Sequence, residues 1–148
     1  MTSHKTFIQL NSGDYSVNQQ TQNASNFRNT LAMPMIFDND RSYEICVYDA
    51  FFPVYQDTRS VYINTNLVNA SIVGSQLTNT VYFIPYSELS PSLDSNLYYT
   101  TSYSRKWYPL AIKNINYIDI SFTLSTGEPL PIHQGDYSSV TLAIREIV

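Results

Sequence analysis

The chain has 148 residues, 43% of them apolar, 14% aromatic and only 14% charged, with a formal net charge of −4. That length suffices for one domain with a continuous core, and the whole of 1–148 is expected to form it. The charge content lies well below the roughly 25% of ordinary soluble domains, and the negative balance excludes a protein that coats nucleic acid with clustered Lys and Arg.

In chain order, Thr6–Leu10 predicts a first strand, closed by the turn-forming Asn11-Ser12-Gly13-Asp14. A polar stretch from Ser16 to Ser25 predicts an exposed loop or arm. A short helical turn is expected next, with Ser25 as its cap and Phe27 and Leu31 spaced four apart on one side. Met33–Phe37 reads as a strand in which Pro34, lacking an N–H, must sit at the start, at a bulge or on an edge. Asp38-Asn39-Asp40 turns the chain into a strand from Tyr43 to about Phe52, ended by Pro53. Strict alternation there sets Tyr43, Ile45, Val47 and Phe51 on one face against Glu44, Cys46, Tyr48 and Ala50 on the other.

Val61, Ile63, Thr65 and Leu67 alternate with Tyr62, Asn64 and Asn66 in a further strand, and Thr80–Ile84 forms another, stopped by Pro85. Ser87–Ser95 reads as a loop, while Tyr98–Tyr108 is aromatic and polar without a clear period and holds at most one strand. The clearest strand is Tyr117–Leu124, with Ile118, Ile120, Phe122 and Leu124 on one face. Ser125–Glu128 closes it in a tight turn around Gly127. The last strand sets Val140, Leu142 and Ile144 against Thr141, Ala143 and Arg145. The sum is an all-β chain of about eight antiparallel strands, the number a jelly-roll sandwich requires.

Chemistry is sparse along this chain. The single cysteine, Cys46, allows no intrachain disulfide and sits within an apolar strand, where a small buried hydrophobe is expected. The polar start Met1-Thr2-Ser3-His4-Lys5 has the look of neither a signal peptide nor a membrane anchor, so no membrane insertion and a reducing compartment are expected. His4 and His133 are the two histidines, and no Gly-x-Ser-x-Gly elbow accompanies them; no enzyme, catalytic residue or cofactor is expected. His133-Gln134-Gly135-Asp136 reads as a turn, and Asp38-Asn39-Asp40 as a capped turn; no metal site is expected. Tyr98, Tyr99, Tyr103, Trp107 and Tyr108 supply flat amphipathic rings. They suit a subunit interface, core packing or a sugar platform, in that order of preference.

The order of segments resembles the single jelly-roll penton, or vertex, capsid proteins of virophages and polinton-like viruses. The resemblance runs from Phe27 to Arg145. It is carried by Phe27-Arg28-Asn29-Thr30-Leu31 before Met33-Pro34-Met35, by the Tyr43–Pro53 strand, and by Ser60–Val68 followed by Ser71–Ser75. Tyr108-Pro109-Leu110, an Ile-x-Ile strand, Thr126-Gly127 and a final Val-x-Leu-x-Ile-Arg strand complete it. The resemblance implies a single jelly-roll subunit, five copies of which close a fivefold vertex of an icosahedral double-stranded DNA virus. It further implies a neighbouring major capsid protein as partner and residence in a virion assembled inside the host cell. Tyr98, Tyr99, Tyr103 and Trp107 are the expected subunit-interface residues. The second reading is a soluble, lectin-like binding module of the same fold that uses the Tyr98–Tyr108 region.

Overall fold

The computed structural model describes residues 4–13, 23–55, 60–73, 76–85, 97–101, 105–133 and 135–148. Eleven strands lie among them: β1 (Lys5–Asn11), β2 (Asn26–Ile36), β3 (Tyr43–Val54), β4 (Val61–Thr65), β5 (Ser71–Val73), β6 (Gln76–Thr78), β7 (Thr80–Ile84), β8 (Leu97–Thr101), β9 (Tyr108–Pro109), β10 (Asn114–Leu124) and β11 (Ser139–Glu146). One sheet has the order β1-β11-β3-β8, with the two-residue β9 also pairing β3; the other has the order β2-β10-β4-β7. β5 and β6 form a separate hairpin. All of these pairings are antiparallel.

Among the eight sandwich strands, every connection passes from one sheet to the other except β4 to β7, which stays in its sheet and carries the β5–β6 hairpin. The first and last strands lie side by side, with Lys5 opposite Arg145 and Asn11 opposite Ser139. This is the single jelly roll expected from the strand count.

The inward residues follow the two-residue period of strands. Ile118, Ile120 and Phe122 of β10 face Val140, Leu142 and Ile144 of β11 across the core, and Val61 and Ile63 of β4 join them; all are essentially inaccessible. The rings of Phe52 (β3) and Phe122 (β10) meet at 5.0 Å and tie one sheet to the other. Leu67 is fully buried but lies beyond the end of β4, in the turn that follows it.

Strict alternation fails in β3. Val47 pairs with Leu142 and Asp49 with Thr141, so Tyr48 is an extra residue and the phase slips there. Beyond this bulge Ala50, Phe52 and Val54 point inward, while Phe51 turns outward toward the Tyr137 ring, 6.3 Å away. The strand also runs through Pro53 to Val54. Pro53 lies past the last β11 pairing, where β8 alone flanks the strand, and an edge tolerates proline.

No helical turn follows Ser25. The Asn23 carboxamide oxygen accepts from the Ser25 and Asn26 backbone N–H groups at 2.9 and 3.1 Å, and the chain enters β2 directly. Phe27 and Leu31 do share a side, because a spacing of four satisfies the strand period as well as the helical one. Pro34 lies in a wide irregularity of this edge strand: Met35 pairs Ile115 and Thr30 pairs Tyr117, leaving Leu31–Pro34 opposite Asn116 alone. Gly127 adopts a φ of 87° in the expected turn after β10, where its N–H donates to the Leu124 carbonyl at 2.9 Å.

Candidate functional site

Tyr98 and Tyr99 lie on β8 at one edge of the first sheet, opposite Pro53 and Phe52. Trp107 precedes β9, whose Tyr108 pairs with Ile45. Ile45 and Phe52 lie seven residue steps apart along β3, roughly 20 Å at about 3.3 Å per step. The structure therefore puts these aromatic residues on one sheet without joining them into a single cluster. Tyr103 lies outside the described residues.

Trp107 belongs to a segment that crosses the outer face of this sheet. Phe7, Ala143 and Cys46 form one outward row across β1, β11 and β3, and Lys5, Arg145 and Glu44 form the next. Above them the Arg105 guanidinium stacks 3.8 Å from the Tyr48 ring, and the Arg145 guanidinium 3.7 Å from the Trp107 ring. Arg145 Nε also donates to Glu44 Oε1 at 2.6 Å, so the half-buried Trp107 closes a three-layer stack.

Ala143 and Cys46 consequently have no exposure although they point away from the core. Burial pushes the Cys46 thiol up from its ordinary range, against the opposing pull of Arg105, Arg145 and Lys5. The thiol should therefore resist iodoacetamide near neutral pH in the folded protein and react freely in denaturant. Trp107→Ala should raise the native labelling rate at least about tenfold, read by mass spectrometry.

Two exposed apolar patches adjoin the second sheet, one on its edge strand β2 and one on the β5–β6 hairpin carried between β4 and β7. On the β2 edge Met33 is 79% and Ile36 74% exposed; on the β5–β6 hairpin, Ile72 and Leu77 sit directly opposite one another at 77% and 73%. Neither segment carries charge: residues 29–37 and 60–87 contain no Asp, Glu, Lys or Arg.

At one end of the sandwich the β1–β2, β3–β4 and β10–β11 connections meet. Ser138 Oγ donates to the Ala24 carbonyl at 2.5 Å, and Ser12 and Ser138 exchange two bonds of 2.9 Å. The Asp136 carboxylate accepts from the Tyr55 hydroxyl and from the His133 backbone N–H. These bonds tie the loop together, with the Tyr55 and His133 rings 4.2 Å apart. Among the described residues no three His, Cys, Asp or Glu side chains converge as metal ligands.

No protein-family profile matches the chain. No curated protein matches it in sequence. Among solved structures, the selenomethionine-labelled penton protein of mavirus superposes with a TM-score of 0.68 at 8% sequence identity, over 97% of this chain and 100% of that one. At that identity the likeness speaks for architecture: the chain has the jelly-roll fold of the mavirus penton protein over essentially the full length of both.

Proposed function

We propose that this protein is a non-enzymatic structural virion protein, the pentameric vertex subunit of an icosahedral double-stranded DNA virus capsid. The observation that carries the reading is the end-to-end likeness to a penton, 97% of one chain against 100% of the other, so that one jelly roll accounts for both. Residues 1–148 then act as one capsid domain. The major capsid protein is its neighbour in the shell, which is assembled inside the host cell.

The surface fits that role. A ring of five is closed by a heterologous contact, in which two different patches of one subunit meet the complementary patches of its neighbours. The β2 edge and the β5–β6 hairpin, formed by different segments of the fold, supply two such patches, apolar and free of charges that docking would have to desolvate. Pro34 in the β2 edge disfavours strand addition there, so the contact is made by side chains. Tyr98, Tyr99, Tyr103 and Trp107 are proposed as further subunit-interface residues.

Light scattering over a range of concentration and salt tests the reading. The expected species has five times the 16.9 kDa chain mass. A monomer at every concentration, with or without the other capsid protein, would overturn it.

A further inference from the structure

We propose that the outer face of the β2-β10-β4-β7 sheet binds a neutral saccharide. A depression of about 550 Å³ opens there, lined by Asn26, Arg28, Asn64, Asn79, Asp119 and Ser121 among others. Small-ligand clefts typically span roughly 300–1,000 Å³. The register explains why these residues meet: Ser121 lies between Asn26 of β2 and Asn64 of β4, and Asp119 lies opposite Arg28.

Carboxamides, hydroxyls, a carboxylate and a guanidinium line the depression, the donor and acceptor set that pairs with sugar hydroxyls. Much of it is held in place before any ligand arrives. Asn64 Nδ2 donates to Ser121 Oγ at 3.2 Å and Thr123 Oγ1 at 3.0 Å, while its oxygen accepts from Thr80 Oγ1 at 2.8 Å. Asn66 Oδ1 accepts from the Asp119 N–H at 2.9 Å, and Asn79 Nδ2 donates to the Val68 carbonyl at 2.8 Å. A preorganised site loses little side-chain entropy on binding.

Charge and flanks select the ligand class. Arg28 donates twice to Asp119, at 2.6 and 3.0 Å, so the one cation and the one anion of the depression cancel. A phosphodiester chain finds no row of cations here, and a peptide strand would extend a sheet edge, whereas this is a sheet face. Aromatic rings stand on both sides. The Tyr62 and Phe83 rings lie 4.8 Å apart at 30°, one outward position (roughly 7 Å) along the strand from Asn64, with Phe83 47% exposed. On the other side Tyr117 lies under Arg28, 3.9 Å from ring centre to guanidinium. The exposed Phe83 ring suits the apolar face of a pyranose, whereas one face of Tyr117 is already taken by Arg28.

Saturation-transfer NMR tests this with the methyl glycosides of mannose, galactose, glucose and N-acetylglucosamine, and with methyl sialoside as the charged control. Transfer to at least one neutral glycoside is expected at about 10 mM. Asn26→Ala and Phe83→Ala, both exposed positions that the fold does not need, should each weaken binding about tenfold, or 1.4 kcal/mol. No transfer to any glycoside, transfer unaltered in both variants, or preference for the sialoside would each overturn the proposal. The readout is binding rather than assembly, so it stands or falls apart from the ring.

Discussion

Ile36→Asp should dissociate the proposed ring into folded monomers, and Leu77→Asp should do the same from the β5–β6 hairpin. Each side chain is about three-quarters exposed in the single chain, and surface substitutions of that kind change stability by about 0.5 kcal/mol or less. At a closed interface the same aspartate would be desolvated without a partner, at a cost of about 2 kcal/mol or more, which repeats at every contact of the ring. Association should weaken by at least about 30-fold per contact.

Mixing the two variants gives the more diagnostic result. Ile36→Asp keeps an intact hairpin, and Leu77→Asp keeps an intact β2 edge, so one productive contact remains between unlike variants and none can follow it. Sedimentation of the mixture should show a dimer that grows no further, whereas each variant alone stays monomeric. Five-membered rings that persist in both variants would move the contact elsewhere, to the β8 side for example, without touching the vertex reading. Absence of rings in the unsubstituted protein would remove the reading itself.

The largest stability effect is expected at Phe122. Its side chain has no exposure and meets Phe52 of the opposite sheet at 5.0 Å, so the pair spans the thickness of the sandwich. Truncation to alanine forfeits the transfer free energy of the ring and opens a cavity between two sheets, at a cost of about 3–5 kcal/mol. That is a large share of a total stability of about 5–15 kcal/mol. At about 2–4 °C per kcal/mol for a chain of this size, the melting temperature should fall by roughly 6–20 °C. Phe83→Ala, on the outer face of the same sheet, should leave it nearly unchanged. Equal effects at the two positions would mean that the sheets do not pack through the Phe52–Phe122 contact.

Where a strand is regular, its inward residues were legible from alternation alone, as for Ile118, Ile120 and Phe122 in β10 and Val140, Leu142 and Ile144 in β11. Alternation misleads at bulges, because one inserted residue inverts every assignment after it: Tyr48 sends Phe51 out and Phe52 in. In β2 the spacing of Phe27 and Leu31 fits strand and helix alike, and only the Asn23 turn and the pairing to β10 decide between them. The β5–β6 hairpin leaves no periodic signal in the sequence, because its two strands are three residues each. For the polar depression, sequence told only which way Asn64 and Ser121 point. That they share a floor with Asn26 and Asn79 depends on a strand order which joins residues far apart in the chain.

The position of β11 between β1 and β3 has a consequence for biosynthesis. β1 leaves the ribosome long before β11, its partner, so its ladder groups stay open until residue 146 has emerged. β3 is likewise denied its central neighbour until then. The first sheet cannot close before β11 has emerged, and non-local pairings of this kind form slowly. Translation products that stop short of β11 would carry unpaired strands prone to wrong association.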